Sequence, residues 1–429
     1  MEQRFDAIVV GGGLAGLAAA YTLAKEGIEV LLVERGDFSG AKNVTGGRLY
    51  LHPVRDLLPE LWPGAPLERF VGQETITVMG DNSSVSIKLS SDKLRQEPHH
   101  SYTILRAKFD KWFADKAAEA GAILVTKQKV DDVIWQDGKV CGIVSGGDNI
   151  QSDVVIAADG IMSLVTERAH LREAHTPANF AVGIKEVIEV PQKTIEERFN
   201  LSEGEGAAQM FLGALTKGMF GGGFLYTNLE SVSLGMVVGI AALMEKRPQV
   251  EAPELLEEFK LSSEIAPLIS GGETVEYSAH VIGEGGYDAM PRLYDSGILV
   301  AGDAAGLNLN TGMTVRGMEF ALASGVFAAR AIKKAKESNN FSKDSLAYYQ
   351  QLMEDSFVLK DMRTFRRAPA FLDNSRIFNT YPQFVCDTLE DLVFIGNAPK
   401  AKLSSTAMKR VRSKLGWSWI KEARGVFRL

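Results

Sequence analysis

The stretch Phe5-Asp6-Ala7-Ile8-Val9-Val10-Gly11-Gly12-Gly13-Leu14-Ala15-Gly16-Leu17-Ala18-Ala19-Ala20 decides the fold. The β-branched run Ile8-Val9-Val10 ends a strand that starts at Phe5, and a glycine-rich turn follows directly. An Ala/Leu-rich helix then runs to about Glu26, Gly27 stops it, and Ile28 to Glu34 makes a second strand closing on an acid. Gly11 permits the tight turn, Gly13 lets the backbone approach a pyrophosphate, and Gly16 lets the helix sit close to the sheet. The N–H groups at the helix start are free to meet phosphate oxygens. Glu34, with Arg35 beside it, is placed to accept hydrogen bonds from a ribose 2′-OH, which disfavours the 2′-phosphate of NADP. A bare Gly-x-Gly-x-x-Gly is a weak signal. Strand, helix, second strand and terminal acid together predict a dinucleotide site in an α/β domain; a glycine-rich turn in an ordinary α/β sheet is the alternative.

Ala7 to Ala24 is uncharged and about long enough to suggest a membrane span. The three consecutive glycines Gly11 to Gly13 break it into strand, turn and helix instead. No basic leader or cleavage site precedes it, so no signal peptide is expected and the chain is expected to be cytoplasmic. At 429 residues and 46.7 kDa the chain has room for two or three units and a sizeable core. With 47 basic against 54 acidic residues the net charge is −7, so nucleic acid is not an expected partner. The two cysteines, Cys141 and Cys386, cannot form a zinc cage or a four-cysteine iron–sulfur site and fit a reducing compartment. The six histidines show no ligand spacing, and no metal is expected.

Two later segments separate FAD from NAD. Gly297-Ile298-Leu299-Val300-Ala301-Gly302-Asp303-Ala304-Ala305-Gly306 is an apolar strand ending in Gly-Asp, with a small-residue helix around Gly317 to Ala331 after it. It resembles the segment by which flavoproteins of the glutathione-reductase type hold the ribityl chain, with Asp303 as the holding acid; a helix-capping acid is the alternative. Asp159-Gly160, after the strand Val154 to Ala158, resembles the Asp-Gly element of flavin hydroxylases, and Arg106 matches an arginine near the flavin in the same group. No second complete glycine fingerprint lies downstream, so one FAD and no separate nicotinamide domain is the expectation.

The flavin elements occupy 1–70, 101–175 and 280–335, a discontinuous FAD domain. Between them, 71–100 and 176–279 are expected to form a substrate domain. Glu74 to Leu89 alternates around Gly80-Asp81-Asn82-Ser83 as a hairpin, and Ala181 to Val190, Gly206 to Gly213, Gly222 to Asn228 and Ser231 to Ile240 read as antiparallel strands with a helix over Glu251 to Lys260. Residues 336–429 read mainly as helix, with breaks near Pro369, Pro382 and Pro399. The expected fold class is α/β: a glutathione-reductase-type Rossmann FAD domain, an inserted antiparallel-sheet substrate domain and a C-terminal helical region.

Gly40-Ala41-Lys42-Asn43-Val44-Thr45-Gly46-Gly47-Arg48-Leu49-Tyr50, Gly221-Gly222-Gly223-Phe224-Leu225-Tyr226-Thr227-Asn228 and Glu276-Tyr277-Ser278-Ala279-His280 carry a wider likeness. They resemble the family of FixC and electron-transfer-flavoprotein:quinone oxidoreductase over essentially the whole chain. The resemblance implies a role in taking electrons from an electron-transfer flavoprotein, with alpha and beta subunits of the FixA and FixB type, and passing them on. It places FAD contacts at Gly11, Gly13, Gly16, Glu34, Arg106 and Asp303, and the backbone of Val130 against adenine. The paired glycines that border the quinone in the membrane-bound relative fall at Gly221 and Gly222. The larger quinone oxidoreductases carry cysteines for a [4Fe–4S] cluster in the C-terminal region, where this chain has only Cys386. That departure implies a separate ferredoxin-like subunit of the FixX type.

Further expectations concern the ring. Asn310-Thr311-Gly312-Met313 is expected at a helix start facing the flavin pyrimidine edge, where N–H groups stabilise negative charge. Gly46 and Gly47 would form the opposite wall, with Lys42 nearby as a positive charge or as a solvated lysine. Gly221 to Gly223 would let a flat quinone approach, with Met219, Phe220, Phe224 and Leu225 as apolar surface; a β-bulge beside core aromatics is the alternative. His280 reads as a core histidine before a proton relay. The tail gathers Lys400, Lys402, Lys409, Arg410, Arg412, Lys414, Lys421, Arg424 and Arg428 against Glu422, with Trp417, Trp419 and Ile420 among them. Such a tail suits an anionic membrane surface at the inner face of the cell membrane, an acidic ferredoxin, or a packed solvated helix. The competing functions are a geranylgeranyl-reductase-like or hydroxylase-like flavoenzyme acting on an organic substrate, and a flavin-stabilised scaffold.

Overall fold

Five parallel strands lie in the spatial order Ile123–Val125, Val30–Val33, Arg4–Val10, Asp148–Ala157, Ile298–Val300. The structure is a computed structural model and describes residues 4–42 and 47–415. Val30–Val33 is buried at every position, as a parallel strand covered on both faces requires. Asp148–Ala157 is long enough to serve twice. Its C-terminal half pairs with the first strand, and its N-terminal half pairs antiparallel with Lys139–Ser145, which in turn pairs with Val130–Gln136.

The helix Leu14–Lys25 starts at Gly13 with no side-chain cap and no acid in its first turn. It ends in a paired closure: Gly27, at φ +71°, donates its N–H to Ala24 O, and Ile28 donates to Leu23 O. Its small residues are buried nearly all round because the helix Met318–Glu337 lies against it. A Cβ on Gly325 would strike the Ala15 carbonyl, so glycine there sets how closely the two helices approach. On the other flank Tyr21 meets Phe113 edge-on at 6.0 Å.

The second sheet runs Glu273–Gly283, Phe180–Glu189, Ser231–Gly239, Gly221–Thr227, Glu205–Gly213, Phe70–Met79, Ser101–Thr103, Arg48–Tyr50, with Ser84–Ser90 hairpinned onto Phe70–Met79. It is antiparallel apart from one parallel pairing, Glu205–Gly213 with Phe70–Met79. Ile184, Leu225, Leu234 and Met236 face an apolar core closed by Leu255, Leu256 and Phe259 of the helix Ala252–Lys260. Two strands that the sequence placed with the nucleotide unit, Arg48–Tyr50 and Ser101–Thr103, belong to this sheet instead. They are too short to show an alternation of their own, and tertiary pairing decides their place.

Arg69 ties the sheet's lower corner. Fully buried, it donates to the carbonyls of Asn228, Glu205 and Leu229 and to Glu196. The C-terminal part is helical over Lys343–Asp355, Phe357–Thr364, Ala368–Leu372, Thr380–Val393 and Leu403–Arg410. The helices are interrupted near Pro369, Pro382 and Pro399, as expected, and Pro382 stands at the start of the following helix. It sits in the first turn of Thr380–Val393, where its missing N–H costs nothing, and Pro369 likewise opens Ala368–Leu372. Arg410 pairs with Asp387 and Asp391, docking the last helix on its neighbour. Trp417, Trp419, Ile420, Lys421, Glu422, Arg424 and Arg428 lie outside the described residues. Among the described residues no helix is long and apolar enough to cross a membrane.

Candidate active site

Where the two sheets face each other they enclose a cavity of about 840 Å³. It runs from the glycine turn to the inner face of the second sheet, and both ends are built by the local rules above.

At the nucleotide end the three fingerprint glycines separate by function. A Cβ on Gly11 (φ +107°) would strike the Ala158 carbonyl, and one on Gly16 would strike the Gly11 carbonyl. Both are demanded by packing, and Gly16 does not line the cavity. A Cβ on Gly13 would meet nothing within 4 Å and would point into open space. Gly13 therefore has no packing reason within the chain and stands open to the cavity, directly before uncapped helix N–H groups. Glu34 accepts the Gly12 N–H at 2.7 Å and the Gly36 N–H at 2.5 Å, which holds its carboxylate at the cavity rim with lone pairs to spare. Arg35, Lys42, Gln128, Lys129 and Val130 line the same end.

Further in, Arg106 opens the helix Arg106–Glu119 and is gripped by both Asp110 oxygens at 2.8 and 2.7 Å. Burial works against its charge, but Asp110 and then Asp303 hold its pKa above the usual value. Asp303 follows the strand Ile298–Val300 and makes no helix cap; burial raises its carboxyl while Arg106 pulls it down. Asp159 takes the Val165 N–H on one oxygen, and its other oxygen is buried without a partner. Burial pushes that carboxyl up to about 6. An orphaned acceptor, a bare Gly13 cradle and free helix N–H groups are what an FAD with its pyrophosphate and ribityl hydroxyls would satisfy, so the residues present fit that group.

At the far end the cavity wall is the second sheet. Met210, Leu212, Gly222, Phe224, Tyr226, Gly183, Lys185 and His280 face it. The three glycines have packing reasons of their own: a Cβ on Gly221 would strike Val237 O, on Gly222 Phe211 O, and on Gly223 the Phe259 ring. Likewise a Cβ on Gly47 would press on the Tyr226 ring, whereas Gly46 lies outside the described residues. Phe224 stacks on Tyr226 at 5.3 Å between centroids, giving this wall a flat aromatic patch. Burial, then Arg35 and Arg106, lower the His280 pKa and disfavour the charged ring.

Asn310-Thr311-Gly312-Met313 is not a helix start. Leu309–Asn310 and Val315–Arg316 pair as a small hairpin whose turn carries Gly312 at φ +77°, with Asn310 Oδ1 accepting the Gly312 N–H at 2.9 Å. The helix begins at Met318, after Gly317. Gly312 and Met313 still line the cavity, but no helix dipole stands behind them. Lys185, Glu284 and Tyr226 escaped sequence reasoning as site residues. Lys185 had a signal, a lysine within the apolar run Ala181 to Val190; Glu284 follows a strand end and had none. Among the described residues no cluster suits a metal ion.

Comparison with known proteins bears on these two ends separately. Residues 6–74 match the family described as FAD dependent oxidoreductase, 180–282 the ETF-QO ubiquinone-binding family, and 368–429 the ETF-QO/FixC family C-terminal domain. Protein FixC of Escherichia coli (strain K12) is 46% identical over 400 residues, 93% of each chain. The probable electron transfer flavoprotein-quinone oxidoreductase YdiS of the same strain is 41% identical, over 97% of this chain and 96% of its own. A geranylgeranyl bacteriochlorophyll reductase-like protein from Thermoplasma acidophilum superposes with a TM-score of 0.74 at 22% identity, over 99% of this chain and 100% of its own. At that identity the likeness speaks for the fold.

Proposed function

Since the chain belongs to the family of FixC and the electron transfer flavoprotein–quinone oxidoreductases and is an FAD-dependent electron-transfer oxidoreductase, we propose that it accepts electrons from an electron-transfer flavoprotein and passes them to a quinone. The donor is of the two-subunit FixA and FixB type. FAD suits the task because it takes up two electrons and can release them singly. Gly13 and the helix start receive the pyrophosphate, Glu34 the adenosine ribose, Val130 the adenine, and Asp303 the ribityl chain. Arg106, Lys42, Asp159, Gly302, Gly47, Gly312 and Met313 surround the remainder. Phe224, beside Gly221 and Gly222, offers the quinone its flat apolar wall.

One observation carries this reading: the nucleotide corner and the aromatic face of the second sheet open into the same cavity. A second substrate on that face would lie within the space the cofactor shares. Two cysteines are too few for a four-cysteine cluster within this chain, so electrons leaving by an iron–sulfur route would need a separate FixX-type ferredoxin. Exposed Val393, Phe394 and Ile395, with Lys400 and Lys402 close by in sequence, suit contact with an anionic membrane surface, where quinones reside.

The test is anaerobic. Reduced electron-transfer flavoprotein should bleach the bound flavin, and a short-chain ubiquinone should restore its absorbance. A flavin that ignores both but is reduced by NADPH in the presence of a prenyl substrate would overturn the proposal in favour of a direct reductase.

A further inference from the structure

Lys185 stands on the cavity face of the second sheet, a costly place for an ammonium. Only 3% of it is exposed. Strand alternation sends Ile184 into the apolar core behind the sheet and turns Gly183 and Lys185 to the cavity. The register sets Lys185 opposite Gly235 on one neighbouring strand and Ser278 on the other. Gly235 has no side chain, and the Phe224 ring occupies the space its Cβ would take; Ile282 does the same over Gly183. The Lys185 side chain therefore leaves the sheet between positions covered by Phe224 and Ile282.

Its charge is only partly answered. Among the described residues the one carboxylate it pairs with is Glu276, at 3.6 Å and itself 40% exposed. That is longer than a good hydrogen bond, and an ammonium carries three N–H donors. Arg106, the next cation, is gripped by Asp110. Burial lowers the Lys185 pKa, Glu276 raises it, and Arg106 lowers it further, which makes the ammonium a stronger hydrogen-bond donor. A methionine would fill this space without the desolvation cost, so packing alone does not account for a lysine.

We propose that Lys185 recognises the second substrate by its carbonyl: the ammonium donates a hydrogen bond to one quinone oxygen, orients the ring on the Phe224 wall, and stabilises the negative charge that develops on that oxygen. The charge arises in the two-electron reduction of quinone to quinol. Reduced FAD gives up two electrons and releases its two protons to solvent as it returns to the oxidised form, and the quinone takes up two protons from solvent, so that none is gained or lost overall. The inference rests on the quinone reading above and adds to it a specificity residue.

The flavin-loaded protein and its Lys185→Met variant are titrated with a short-chain ubiquinone and with a ring-matched dimethoxyarene that lacks carbonyls. The variant should bind the quinone about 10- to 100-fold more weakly, the range of one hydrogen bond to a charged group, with the arene unaffected. Lys185→Arg should recover part of the loss. Both ligands weakening alike, or neither weakening, would overturn the proposal, since a merely structural lysine does not tell a carbonyl from an ether. If the methionine variant loses its flavin, the wild type decides: equal affinity for quinone and arene overturns the role of Lys185. Wild type that binds the arene and no quinone overturns the quinone reading together with it, whereas quinone binding unchanged by Lys185→Met overturns this inference alone.

Discussion

The Glu34 carboxylate accepts the backbone N–H of Gly12 at 2.7 Å, so the acid that ends the second strand is bonded to the glycine turn that ends the first. The two halves of the nucleotide corner are thereby fixed to each other before any cofactor arrives. Glu34→Ala removes this acceptor, the one for Gly36 and, on the proposed function, the ribose contact together. The FAD dissociation constant should rise about 10- to 100-fold, and the apoprotein should lose about 1–3 kcal/mol. Flavin titration and urea unfolding of the apoprotein measure the two effects, and unchanged flavin affinity would remove Glu34 from the site.

Gly13 and Gly16 stand three residues apart in one motif, yet they should fail differently. Gly13→Val adds its bulk to open cavity space, so the protein should fold and purify with little flavin. Gly16→Val drives side-chain atoms into the Gly11 carbonyl and should give little soluble protein at all. Yield, thermal melting and the ratio of absorbance at 450 to 280 nm separate the two outcomes. Equal loss of folding in both would show that Gly13 also serves packing.

Glu284 makes stability depend on pH. Burial raises its carboxyl to about 7, against which the hydrogen bond from Asn310 works only weakly, while in the unfolded chain it titrates near 4.5. Between those values the folded state binds the extra proton. This contribution is therefore complete below about pH 4.5, falls as pH rises toward 7, and is gone above it. Subtracting the unfolding free energy of Glu284→Gln from that of the wild type, at half-unit steps from pH 5 to 8, should give a curve that declines and then levels. A flat difference would place the Glu284 carboxyl in water.

Gly312 is held at φ +77° with room beside it, because a Cβ would find only Leu372 at 3.4 Å. Gly312→Val should therefore cost about 1–2 kcal/mol, chiefly through backbone strain. Gly312→Asn, which tolerates the left-handed region, should cost less. Thermal melts of the two variants check the order. A valine variant as stable as wild type would mean the turn relaxes to another form.

The sequence by itself determined the nucleotide half. Strand, turn, helix and terminal acid are contiguous over residues 5–34, and local geometry allows a glycine turn of that spacing few other conformations. The strand before Asp303 was legible for the same reason, since the apolar run Ile298-Leu299-Val300 is contiguous and Gly302-Asp303 lies one residue beyond it. Only the tertiary structure decided the rest. Arg48–Tyr50 joins the second sheet through pairing with Ser101–Thr103, a contact across some fifty residues that no short window contains. Pattern alone could not distinguish the hairpin at Asn310 from a helix start, because one left-handed glycine and one Asn side chain choose between them. Lys185 and Glu284 acquire their character from burial, which strand register brings to Lys185 and a loop contact with Asn179, beyond the strand end, brings to Glu284.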